Sequence, residues 1–302
     1  MKILHIGNPA KVAMILSRTQ RKQGDESDVL MVYPDKHSFG FDRQVLLTGM
    51  SRTSFLNTFE VARIAERYDI IHLHGGLTWN RLDALMIKYL KRKRIVLHYH
   101  GTDLVSGKGR RYRHIASKRL VARPDLLKLM SGTVYVPNPF DVEDWPMAEA
   151  IPRKEPVILH MPTNRLKKGT AQIITAMNEI KGVDFRIVEN VPWQKAMETI
   201  YEADIVLDDV VSGVINMLGF QAMAVGKILV TKFDENARHY PGAPVIWKGD
   251  IQASVLSAID KWKDHRSLYA SCGREYVKRN HDPDKIARVH KFYYEQALDL
   301  RE

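Results

Sequence analysis

The chain has 302 residues, 45% of them apolar and 27% charged, with a net charge of +11. That length accommodates two domains of ordinary size, and no apolar run approaches the ~18–20 residues of a membrane span. The single cysteine, Cys272, excludes an internal disulfide framework and a cysteine-based zinc cluster and fits a reducing cytosol. Cys272 itself reads as a small buried side chain without a role.

The opening MKILHIGNPA turns polar after a strand-length run, so it reads as a first strand and not as a signal peptide. Strands are then predicted at 2–6, 28–33, 70–74, 94–100 and 132–136. Between them, SFLNTFEVARIAERY carries Phe55, Phe59, Val61, Ile64 and Ala65 near helical spacing, and NRLDALMIKYL follows the same rule. Cations cluster at Lys91 to Arg94 and again at Lys108, Arg110, Arg111, Arg113, Lys118 and Arg119. These clusters attract polyanions, or merely cap helix ends. The proline- and acid-rich stretch 137–155 is the linker candidate.

After it the alternation restarts, with strands at 156–160, 183–188, 204–208 and 227–231. Helices are predicted from Gly169, from Pro192 and near 214–225. A final helix starts at Asp282 and Pro283 and carries an apolar stripe of Ile286, Val289, Tyr293, Ala297 and Leu300. The pattern predicts an α/β chain of two doubly wound, parallel-sheet, Rossmann-like domains: residues 1–145, then 146–281, with the helix 282–302 packing back on the first domain.

Ligands of open parallel sheets bind at the carboxyl ends of the strands. That rule selects Gly7 and Asn8; His72 and His74 with Gly75 and Gly76; His98 and His100 with Gly101, Thr102 and Asp103; His160; Glu189 and Asn190; and Asp208 and Asp209. The two H-x-H pairs place side chains on one face as metal ligands require. No nearby cysteine or carboxylate cluster completes a shell, so no metal is expected, and His72 and His98 read as packed strand residues. His74 and His100, each directly before glycine, read as functional. GxGxxG, Walker A and GxSxG are missing.

The loop NRLKKGT sets Arg165, Lys167 and Lys168 around the start of a helix, where about half a positive charge already stands. Such a loop expects an anion. At this point the chain resembles the GT-B glycosyltransferases, in particular the large retaining family numbered four. The resemblance runs through YDIIHLHG, VLHYHGTDL, VYVPNPFD, NRLKKGT and YEADIVLDDVVSGVINMLGFQAMAVGKILVT. It implies two domains facing across a cleft and a metal-independent, hexosyltransferase-like enzyme. That enzyme would move a sugar, with retention, from a nucleoside-diphosphate sugar to a glycan or lipid-linked acceptor. No cofactor is required beyond the donor substrate.

On this resemblance Arg165 and Lys168, in R-x-x-K-G with Gly169 and beside Asn164, hold the diphosphate. His100 contacts the donor sugar or phosphate, and Asp103 helps orient the site. Glu189 and Gln221 line the nucleotide, and Gly7 and His74 face the acceptor. The family's two glutamates, eight positions apart, fall on Gly213 and Gln221. A non-catalytic, nucleotide-binding GT-B protein is therefore the alternative. The expected place is the cytoplasm, peripheral on an anionic membrane surface; nucleic acid is not an expected partner, because aromatics do not interleave with the basic runs.

Overall fold

The computed structural model describes residues 1–35, 38–47, 52–75, 82–234 and 236–299. Gly76, Asn80, Arg81 and Leu300, which the sequence reading used, lie outside them. The chain divides into two compact units: Met1–Pro139 together with the segment from Asp282 onward, and Phe140–His281. The division comes ahead of residue 145, because Phe140, Val142 and Trp145, inside the stretch read as a linker, are buried in the second unit's core.

In the first unit the strands are β1 (Lys2–Ile6), β2 (Glu26–Met31), β3 (Arg43–Gln44), β4 (Ile70–His74), β5 (Arg94–Tyr99), β6 (Lys118–Val121) and β7 (Val134–Tyr135). They pair in the order β3-β2-β1-β4-β5-β6-β7, all parallel. The order reverses between β1 and β4. The helices are α1 (Val12–Lys22), α2 (Arg52–Ala65), α3 (Leu82–Leu85), which continues as a π-helical turn at Met86–Leu90, and α4 (Thr102–Val105). The two-residue β3 and the whole of β6, which opens on Lys118 and Arg119, carry no strand prediction.

Strand alternation sorts this unit's core. Leu4, Ile6, Ile71, Leu73, Ile95 and Leu97 pack with α2 residues Val61, Ala62 and Ala65. Ile3, Ile70, Val96 and Leu120 face the opposite way, against Val12 and Leu16 of α1. On α2 the expected apolar face is only partly right: Val61, Ile64 and Ala65 are buried, but Phe55 and Phe59 are exposed.

The second unit holds β8 (Val157–His160), α5 (Arg165–Lys168), α6 (Thr170–Asn178), β9 (Asp184–Ile187), α7 (Trp193–Glu202), β10 (Ile205–Leu207), α8 (Met217–Ala224), β11 (Ile228–Val230), β12 (Val245–Ile246) and α9 (Ile251–Asn280), which kinks at His265. The sheet order is β12-β11-β10-β8-β9, again parallel, with its reversal between β8 and β10. Cys272 is exposed on α9, not buried. No helix among the described residues is long and apolar enough to cross a membrane.

The last helix, α10 (Pro283–Asp299), belongs to the first unit. Asp282 caps it by accepting from the Lys285 amide at 2.7 Å. Its buried stripe is Ile286, Ala287, His290, Tyr294 and Ala297. This corrects the predicted stripe, since Val289 is exposed. The inward ring is Tyr294 rather than Tyr293, and His290 joins it because the neighbours under the helix, His72 and His98, are themselves polar rings.

Candidate functional site

In the second unit, β8 runs into α5, and Gly169 (φ +73°) both ends α5 and begins α6. The helix expected from Gly169 is thus preceded by one short helical turn that carries all three cations. Asn164 caps that turn, its Oδ1 accepting from the Lys167 amide at 3.0 Å. A Cβ at position 169 would collide with Val210 Cγ2 and come within 2.9 Å of Gln172 Oε1. Gly169→Ala should therefore cost about 2–4 kcal/mol, from left-handed strain plus overpacking. A fall in the thermal midpoint checks it, and an unchanged midpoint rejects the tight packing.

Each main cation faces a carboxylate from another strand end. Arg165 makes a two-pronged pair with Glu189, Nε at 2.9 Å and Nη2 at 2.5 Å from Oε2. Lys168 Nζ donates to Asp208 Oδ1 at 2.6 Å and lies 3.8 Å from Asp209 Oδ2. Asp209 also accepts from the Val211 and Ser212 amides, the Ser212 hydroxyl and the Asn216 amide. Burial pushes the Asp209 carboxyl up, but Lys168 and these donors together hold it below the usual carboxylate range. Arg165 and Lys168 thus stand where β8 and β10 diverge, the switch point at which parallel sheets take ligands.

The loop is not a bare cationic patch, as the sequence alone suggested. The cations and carboxylates do lie at strand ends, but which acid meets which base is not legible in the sequence. Beside Gly169 opens a cavity of ≈ 590 Å³ lined by Gln172, Val210, Lys232, Trp247 and Asp250 among others. Gln221 is buried on α8. Gly213 (φ +69°) faces Asp234: a Cβ there would strike the Asp234 carboxylate. Asp234 lies after β11 and bonds Lys232 at 3.2 Å; no motif in the sequence marked it.

In the first unit, Gly7 (φ +86°) lets β1 end against β4: a Cβ there would come within 3.2 Å of the His74 carbonyl. Five histidines, His5, His72, His74, His98 and His100, share one strand face by alternation, and His290 of α10 joins them. Three form a chain: His5 Nε2 to Gln20 Oε1 at 2.8 Å, His5 Nδ1 to His74 Nε2 at 3.0 Å, and His74 Nδ1 to His100 Nε2 at 3.0 Å.

The Gln20 oxygen only accepts, so His5 carries its proton on Nε2. His74 and His100 must then do the same for each link to have one hydrogen. Asp103 turns the strand end, accepting from the amides of His100 (3.0 Å), Gly101 (2.8 Å) and Leu104 (2.8 Å). Burial lowers the His100 pKa to about 4 despite Asp103 and Asn138, which raise it. His100 is therefore a neutral ring at physiological pH. The strand-end rule selects His74, His100 and Asp103, which come together here, but not His5 or His290.

No protein-family profile matches the chain, and no curated protein matches it. Solved structures do. Anabaena Alr3699/HepE in complex with UDP-glucose superposes with TM-score 0.70 at 14% identity, over 98% of this chain and 99% of that one. An alpha-glucosyltransferase in complex with UDP gives TM-score 0.71 at 11% identity, over 97% and 99%. Sucrose-phosphate synthase from Thermosynechococcus elongatus gives 0.68 at 13% identity, over the full length of both. The two-sheet α/β architecture is that of the GT-B glycosyltransferases.

Proposed function

We infer that the chain transfers a sugar from a nucleoside diphosphate to an acceptor. The second unit would hold the donor, with the diphosphate on Arg165 and Lys168 and the nucleoside towards the cavity beside Gly169, near Glu189 and Gln221. The observation that carries this reading is the placement of two cations at the switch point of a sheet whose whole chain superposes on nucleotide-sugar enzymes. Charge grows on the leaving diphosphate as the sugar bond breaks, so fixed cations stabilise the transition state most. Those cations would serve without a metal at the donor site. Retention needs no strong base if the leaving phosphate accepts the incoming hydroxyl's proton, which suits a site where positions 213 and 221 are Gly and Gln.

The first unit would meet the acceptor around Gly7, His74 and His100, with His100 acting through the uncharged ring, held by Asp103. A glycan or lipid-linked acceptor at an anionic membrane surface fits the exposed Phe55, Leu56 and Phe59 of α2 and Tyr89 and Leu90 beside Lys88 and Arg92. A second reading is a nucleotide-binding protein without turnover, favoured by Gly213 and Gln221 and by the carboxylates already seated on Arg165 and Lys168.

Thermal-shift titration with UDP, GDP, ADP, TDP and CDP tests the donor site, with Arg165→Ala as control. A true ligand at a hundred times its Kd adds about 2.7 kcal/mol, a midpoint rise of several degrees. One responsive nucleotide, silenced in the control, supports the reading; hydrolysis of the matching sugar nucleotide then separates transferase from inactive binder. No response to any of the five would sink it.

A further inference from the structure

We propose that His72, His98 and His290 form a binding site for one first-row transition-metal ion, of which zinc is the natural probe. The site stands apart from the donor reading and does not depend on it. The three side chains come from β4, β5 and α10, and all three are fully buried. One ring nitrogen from each lies within 4.8 Å of the other two. Among the described residues, His72 Nε2 and His290 Nε2 have no hydrogen-bond partner. A buried polar nitrogen left without a partner costs about 1–3 kcal/mol, and here such atoms converge from separate elements.

Two neighbouring triplets, His5–His72–His74 and His74–His98–His100, are equally close. Both triplets, however, need His74, whose two nitrogens are spent in the chain from Gln20 through His5 and His74 to His100. A metal there would have to break those bonds. At the proposed site the supporting contacts already have the arrangement a metal uses. His290 Nδ1 is 2.9 Å from the Ile286 carbonyl, which only accepts, so the proton sits on Nδ1 and Nε2 keeps its lone pair. His72 Nδ1 is 2.7 Å from Tyr294 Oη, and in the tautomer in which Nδ1 donates to that oxygen Nε2 keeps its lone pair. Oxygen contacts of this kind on the far nitrogen orient histidine ligands in metal sites.

Imidazole suits zinc, copper, nickel and iron, and three histidines leave one coordination position for water or hydroxide. Zinc–nitrogen bonds of about 2.0–2.1 Å would draw the three nitrogens to roughly 3.3 Å apart, a modest rotation of each ring. The bound ion would tie α10 to the sheet of its own unit. The sequence reading paired His72 with His74, but the partner that completes a shell, His290, lies on a helix at the far end of the chain.

The test uses the full chain stripped with a chelator and titrated with Co²⁺ and then Zn²⁺. The expected result is one equivalent bound, a visible cobalt absorption that zinc abolishes, and a thermal midpoint raised by several degrees. His98→Ala should remove all three. So should His290→Phe, which keeps a ring in place but deletes its nitrogens, and which decides the matter if His98→Ala fails to fold. His265→Ala, at an exposed position on α9, should change nothing. No cobalt absorption and no midpoint shift would mean that the space holds water. A signal that survives in folded His290→Phe would mean surface histidines. Either overturns the site.

Discussion

Metal-free protein should lose much of its stability as the pH falls from about 6.5 to 5, well before most carboxylates titrate. Burial lowers the pKa of His5 to about 3 and of His100 and His290 to about 4. Burial also drives His72, His74 and His98 well below the ordinary value, and their mutual repulsion adds to it. Above pH 7 these rings are neutral in both folded and unfolded chains and contribute no slope. Below about 6.5 the unfolded chain takes up protons that the folded chain refuses, so stability falls with falling pH.

Between pH 6.5 and 5 each such ring costs about 2 kcal/mol, from 1.36 kcal/mol per unit. His5, His100 and His290 alone would remove about 6 kcal/mol, against the ~5–15 kcal/mol that holds an ordinary domain. Thermal midpoints at half-unit steps of pH would show the fall. His290→Phe should reduce the proton uptake on unfolding by about one below pH 6. A midpoint that stays level between pH 7.5 and 5 would mean that the rings are hydrated or already charged in the folded state.

Much of the fold was legible because parallel strands covered on both faces read as continuous apolar runs. KILHI, IIHLH and PVILH are such runs, and each marks a strand. The unpredicted strands are short, charged at the start or at sheet edges: Arg43–Gln44 has both residues exposed, Lys118–Val121 opens on two cations, and Val245–Ile246 is only two residues long. The site was half legible. Alternation on β1, β4 and β5 alone puts five histidines on one face, but only contact with α10 brings His290 among them. Likewise the R-x-x-K-G spacing locates Arg165 and Lys168. That Glu189 and Asp208 would cover them follows from the order β10-β8-β9, in which the ends of β9 and β10 flank that of β8.

Lys168→Met should both abolish nucleotide binding and destabilise the second unit by about 3–5 kcal/mol, the usual cost of stranding one member of a buried ion pair. The lysine side chain is 12% exposed and its partner Asp208 1%, so water cannot take over the neutralisation. Asp209, 4% exposed, loses the same cation. Asp208→Asn should cost less, because Lys168 keeps Asp209 and some access to solvent. The double variant Lys168→Met/Asp208→Asn should recover part of the loss, since it removes both charges of the 2.6 Å pair together. Urea melts of the four proteins give the coupling, and nucleotide titration of the same four separates fold from ligand. Asp208→Asn should still bind, as Lys168 remains charged, while the double variant, stable or not, should fail. If Lys168→Met instead binds nucleotide as tightly as the parent, the lysine serves only its carboxylates, and the diphosphate rests on Arg165 alone.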